Sequence, residues 1–159
     1  MHIDRLERTW ILIVVATMSA FLAALVVGAV VFGVRLPEPA GRVNPSELQN
    51  TQFNDPQLVH LGGNKYEVHI LARTWAFVPN EIRVPAGSEV TFYVTSQDIT
   101  HGFIIEHHNI NLQLVPGHIS RATGRFNTPG TYKIQCHEYC GRGHHLMNAD
   151  LIVEEVTEE

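Results

Sequence analysis

The chain has 159 residues, with 16 Asp/Glu against 11 Lys/Arg and a formal charge of −5. That length allows one domain of about 100–150 residues and something more. From Glu47 onward seven Lys/Arg stand against thirteen Asp/Glu, which argues against nucleic acid, because such partners need a basic face.

The first element is apolar. Trp10 to Val34, WILIVVATMSAFLAALVVGAVVFGV, holds no charged side chain. As a helix rising ~1.5 Å per residue it reaches roughly 37 Å, enough to cross a bilayer with some tilt. A cleaved signal peptide is the competing reading. The run exceeds the usual apolar region of ~7–15 residues, however, and RLPEPAGRV is a poor cleavage site. The expectation is a short segment over 1–9 and a permanent single-pass anchor over 10–34. Flanking charge does not orient it, since Arg5 and Arg8 before the span match Arg35 and Arg42 after it.

Residues 35–60 read as a tether, opening with the Pro-rich and polar LPEPAGRVNPSE. Residues 61–159 read as one all-β domain. KYEVHILARTW alternates, with Tyr66, Val68, Ile70 and Ala72 on one face and Glu67, His69 and Arg73 on the other. EIRVPAGSEVTFYVTS gives two short strands around Pro85-Ala86-Gly87, and GFIIE, INLQLV, ISRATGRF, TYKIQC and DLIVEEV give more. Short strands at about 8–12 residue spacing, punctuated by Pro116-Gly117 and Pro129-Gly130, predict a Greek-key sandwich or barrel. The closing VTEE reads as a frayed acidic tail.

Both cysteines fall in one loop, Cys136-x3-Cys140-x3-His144-x2-Met147, between the strands TYKIQC and DLIVEEV. A hairpin loop brings such closely spaced side chains to one point. Thiolate, thioether and imidazole donors favour copper. Four readings stand. A Cys136–Cys140 disulfide leaves His144 and Met147 unexplained. A structural Cys2His2 zinc site has no use for methionine. A single blue copper needs one cysteine fewer. Two coppers sharing both thiolates use every donor, but need a second histidine from elsewhere. Cupredoxin-like barrels supply one from a distant loop at the same end. His101 in SQDITHGFIIE, at a strand junction, is the best candidate, with Asp98 placed to cap its loop by an Asx-type hydrogen bond.

SQDITHGF together with CHEYCGRGHHLM resembles the copper A domain of subunit II of heme-copper oxygen reductases, the cytochrome c oxidases. The single N-terminal span is similar to that of the ba-type (B-family) oxidases, and the resemblance covers nearly the whole chain. It implies a cupredoxin-like Greek-key β-barrel carrying two copper ions. Cys136 and Cys140 would bridge both, His101 and Met147 would complete one, and His144 with the backbone carbonyl of Glu138 the other. Glu138 is a departure from the Gln of some ba-type members. The implied partners are a cytochrome c-type donor, a heme-bearing subunit I where oxygen is reduced to water, and the lipid bilayer. In the family pattern Trp75 and Phe77 of RTWAFVPN are the aromatics that receive the donor. Their parity continues the polar face of Glu67, His69 and Arg73. Glu7 matches a glutamate at the mouth of a proton pathway in ba-type relatives. That role implies a cytoplasmic N-terminus and a metal domain on the periplasmic, outer face of the cell membrane. His137 and His145 neighbour the ligands without entering the pattern. His60, His69, His107, His108 and His118 read as surface or loop residues. The alternatives are a stand-alone membrane-anchored copper electron carrier and a structural zinc-binding β module.

Overall fold

The computed structural model describes residues 4–31 and 38–155, in two units divided between Leu36 and Pro37. In the first unit, α1 runs Arg5–Val31 and none of its residues is buried. It is long and apolar enough to cross a membrane, with a mean hydropathy of 2.6 over its most apolar window. It begins five residues before the expected span, because Arg5, Glu7 and Arg8 extend the same helix. Glu7 sits in the first turn, where a carboxylate is favoured by the helix dipole. Residues 32–34 of the expected span and the VTEE tail lie outside the described residues.

The second unit is the expected all-β domain. Its strands are β1 (Glu38–Arg42), β2 (Leu58–Gly62), β3 (Lys65–Arg73), β4 (Ala76–Val78), β5 (Glu81–Pro85), β6 (Ser88–Ser96), β7 (His101–Ile105), β8 (Asn111–Leu114), β9 (His118–Phe126), β10 (Gly130–Gln135) and β11 (Asn148–Glu154). One sheet runs β1-β9-β6-β3-β2 with β4 on β3; the other runs β5-β11-β10-β7-β8. The pairs β3/β6 and β5/β11 are parallel, so the chain crosses between sheets rather than meandering. Period-2 patterning does the packing: β5 and β11 alternate exposed and buried residues, and the inward ones meet Phe77, Phe92, Phe103, Phe126, Ile134 and Leu151 in one core. Each such side chain contributes about 1.5–3 kcal/mol by leaving water.

Two sequence expectations change here. The tether over 35–60 is largely part of the domain. β1 pairs with β9, a 3-10 turn covers Pro45–Asn50, and Leu48 and Phe53 are buried against Leu71. Asn44 caps that turn by accepting from the Ser46 N–H. The turn and Phe53 thus form a second, smaller core, with Tyr93 and Ile119 at its rim. In consequence β3 is buried on both faces. His69, expected on a polar surface, lies between Phe53, edge-on at 5.4 Å, and Tyr93, stacked at 5.1 Å. His108 is also partly covered, stacked on Phe126 at 4.6 Å. Burial lowers the pKa of both imidazoles, and for His69 the neighbouring Glu67 opposes this only in part.

Candidate metal centre

The register of the second sheet delivers the donors. β10 and β11 form a hairpin whose last pair is Gln135 with Asn148, so Cys136 to Met147 is its connecting loop. The Cys136 N–H donates to the Met147 carbonyl at 3.2 Å and closes the base of that loop. On its other side β10 pairs with β7, with Gln135 opposite Ile104. Extending that register brings His101, the first residue of β7, beside the Cys loop. His144 rides on a short 3-10 turn, His144–Leu146, which ends directly before Met147.

A ring nitrogen of His101, Cys136 Sγ and Cys140 Sγ all lie within 4.8 Å of one another, and the three residues are buried. The two sulfurs are 3.7 Å apart, and both cysteines are free. A tetrahedral ion with metal–sulfur bonds of about 2.3 Å would hold two thiolates at roughly this separation. Cys136 Sγ is 3.9 Å from His101 Nδ1 and 3.2 Å from the Glu138 carbonyl oxygen. Cys140 Sγ is 3.5 Å from His144 Nδ1 and 3.7 Å from Met147 Sδ. All six expected donors therefore converge: two thiols, two imidazoles, one thioether and one backbone carbonyl. Soft sulfur with imidazole is the set that copper selects.

Electrostatics point the same way. Burial, then the neighbouring Cys136, push the Cys140 thiol up to about 11. Two buried thiolates facing each other need a cation to ionise together, and a bound metal supplies it. His101 is oriented for coordination. Its Nε2–H donates to Asp98 Oδ1 at 2.8 Å, which leaves the Nδ1 lone pair toward the sulfurs. Burial alone would raise the Asp98 pKa. Hydrogen bonds from the Thr74 hydroxyl, His101, the Ile99 N–H and the Thr74 N–H outweigh it and hold the carboxyl at about 2. Asp98 thus does more than cap its own loop: it ties a histidine of the cluster to the turn after β3.

That turn carries Trp75. The residue is 43% exposed, and its indole Nε1–H donates to the Cys140 carbonyl at 2.9 Å. Phe77 differs from expectation. It is 1% exposed and packs edge-on against Phe103 in the core, with ring centroids 5.6 Å apart. The chain reverses after Arg73, and β4 pairs antiparallel with β3, so the parity of β3 does not carry through to residue 77. Phe77 offers no surface to a partner. His137 and His145 are exposed residues of the loop itself, and Tyr139 lies edge-on to His144 at 5.9 Å.

A family model described as "Cytochrome C oxidase subunit II, periplasmic domain" matches residues 64–156. This chain belongs to the cytochrome c oxidase subunit II family. A cytochrome c oxidase subunit 2 of Thermus thermophilus is 36% identical over 154 residues, covering 94% of this chain and 92% of the relative. A second subunit 2 from the same species is 42% identical over 123 residues, covering 74% and 91%. Among solved structures, a chain of a heme-copper terminal oxidase dimer, seen by cryo-EM, superposes with a TM-score of 0.81 at 34% identity. It covers 94% of this chain and 100% of that one. The protein is therefore a membrane-anchored, copper A-bearing subunit II, and its work is electron transfer within an oxidoreductase complex whose core it joins.

Proposed function

We propose that Cys136 and Cys140 bridge the two copper ions, that His101 and Met147 complete one site, and that His144 and the Glu138 carbonyl complete the other. The observation that carries this is the convergence of all six donor atoms, in spacings of 3.2–3.9 Å between neighbours, at one end of the barrel. When bound, the copper pair supplies one-electron redox chemistry. The protein's residues keep it in one geometry. Asp98 fixes the ring of His101, the β10/β11 hairpin fixes the loop, and Met147 and Cys140 are almost wholly shielded from water. Little rearrangement then accompanies each transfer.

Electrons come from a cytochrome c-type donor and are received at Trp75. The indole is open to solvent on one side and bonded to the backbone of a bridging cysteine on the other. They leave toward heme in subunit I by way of His144, beside which Tyr139 and Leu146 expose apolar surface suited to a partner. The domain stands on the outer face of the cell membrane and the N-terminus of α1 in the cytoplasm, where Glu7 serves proton uptake. The test of the site is metal content. The full chain in detergent is expected to hold two coppers, coloured when oxidised, and Cys140→Ser to lose that colour. One copper per chain, or a native Cys136–Cys140 disulfide in the assembled complex, would defeat the proposal.

A further inference from the structure

The indole of Trp75 rests on two glycines of the Cys loop. A Cβ built on Gly143 falls 2.5 Å from Trp75 Cδ2 and 2.7 Å from Cε3 and Cγ; one built on Gly141 falls 3.1 Å from Nε1 and 3.4 Å from Cζ2. Carbon atoms in ordinary contact sit ~3.5–4.0 Å apart. The two glycines are not equivalent. Gly141 has φ +109°, so its backbone alone demands glycine. Gly143 has φ −92° and ψ 9°, which other residues adopt. What excludes a side chain at Gly143 is the indole, and the atoms it would strike belong to the ring's inner part, not to a free end that can swing aside.

We infer that Gly143 is a positioning residue for electron arrival: its bare Cα seats Trp75 on the copper loop and lets the indole N–H reach the Cys140 carbonyl. The inference rests on the reading of Trp75 as the receiving group. The backbone on both sides is held. Thr74 donates its N–H to Asp98 Oδ2 at 2.7 Å, and its hydroxyl bonds the same oxygen. Gly143 itself accepts from the Leu146 N–H at 2.9 Å in the turn that carries His144. An added methyl is therefore relieved by lifting the ring, which is the part with solvent beside it. Loss of the Cys140 bond follows.

The test uses the assembled oxidase and stopped-flow reduction by reduced cytochrome c, in wild type, Trp75→Ala, Gly143→Ala and the double variant. Solvent exchange of the Trp75 indole proton is followed by NMR in the full chain. Gly143→Ala is expected to slow reduction by the same factor as Trp75→Ala, the double variant to be no slower than either, and the indole proton to lose its protection. Copper content and the visible spectrum should match wild type in all variants. If Trp75→Ala keeps the wild-type rate, the reading of Trp75 fails and takes this inference with it. If Trp75→Ala slows reduction but Gly143→Ala does not, or leaves the indole proton protected, only the inference about Gly143 fails. Loss of copper, an altered spectrum or misfolding in Gly143→Ala would place its role in the metal loop itself and overturn the inference as well.

Discussion

Gly102 offers a direct probe of how closely the two metal loops must approach. It follows His101, and a Cβ there would lie 2.6 Å from Cδ2 and Cγ of His137 and 2.8 Å from the Glu138 backbone nitrogen. Its φ is not in the left-handed region, so Gly102→Ala adds only bulk. Restoring contacts of ~3.5 Å or more requires a separation greater by about 0.7–1 Å. The exposed His137 ring can swing away, but the Glu138 nitrogen moves only with its peptide chain. The Glu138 carbonyl, 3.2 Å from Cys136 Sγ, moves with it. Overpacking of this kind costs about 1–3 kcal/mol, offset by about 0.4–1 kcal/mol from the stiffer unfolded chain. The expected result is modest destabilisation with a disproportionate change at the metal. Copper affinity should fall by roughly 10–100-fold, as when a supporting contact to a ligand is lost, and the visible spectrum and reduction potential should shift. Adding His137→Ala relieves the ring clash but not the backbone clash, so it should restore only part of the change. Copper titration and spectroelectrochemistry read both effects. A Gly102→Ala protein with wild-type spectrum, potential and affinity would refute the claim that this contact holds the Glu138 carbonyl.

Other expectations follow from the same structure. Phe53→Ala should cost about 3–5 kcal/mol and roughly 10–20 °C in Tm, because the ring is buried against His69, Leu48 and Leu71. A loss under about 1 kcal/mol in denaturant unfolding would restore the tether reading. The lowered pKa of His69 means that the unfolded chain binds the proton first. Its contribution to stability is therefore complete above about pH 6.5 and is lost as pH falls through the lower folded value. His69→Phe keeps an aromatic between Phe53 and Tyr93 and should flatten the pH–stability profile below about pH 6.5; parallel profiles would contradict the assignment. Glu7→Gln in the assembled complex should slow oxygen consumption while leaving copper reduction by cytochrome c intact, and unchanged oxygen consumption would remove Glu7 from proton uptake.

What was legible in the sequence was whatever depends on near neighbours. β3 and β5 to β11 show as short strand-like runs separated by turn residues, and five of the six donors, the Glu138 carbonyl among them, lie within one hairpin loop, where spacing alone gathers the four side chains. His101 needed the pairing of β7 with β10, which no local pattern announces; its place at a strand junction and the aspartate three residues before it were the available hints. The second core was hidden because Leu48 and Phe53 are single apolar residues in a polar, Pro-containing stretch, and their partners Leu71, Tyr93 and Ile119 sit on strands far along the chain. The same cover turned His69 inward. Phe77 misled because parity was carried across a chain reversal. The roles of Gly102 and Gly143 depend on what approaches them from another loop, and composition carries no trace of that.

These close approaches explain why the site suits electron transfer. A centre that changes charge without moving needs ligands that cannot relax independently. Here each piece is tied to another: Cys136 to Met147 through the hairpin base, Trp75 to Cys140 through its indole, Thr74 to His101 through Asp98, and β7 to the Cys loop through the bare face of Gly102. Flexible exposed glycines would loosen such a loop, yet Gly102 and Gly143 are pressed against a ring or a backbone. Their missing side chains shorten the distance between braces. Substitution at Gly102 should therefore alter the potential, and at Gly143 the rate of reduction, well before either unfolds the barrel, whose stability lies in Phe92, Phe103, Phe126 and the rest of the core beneath.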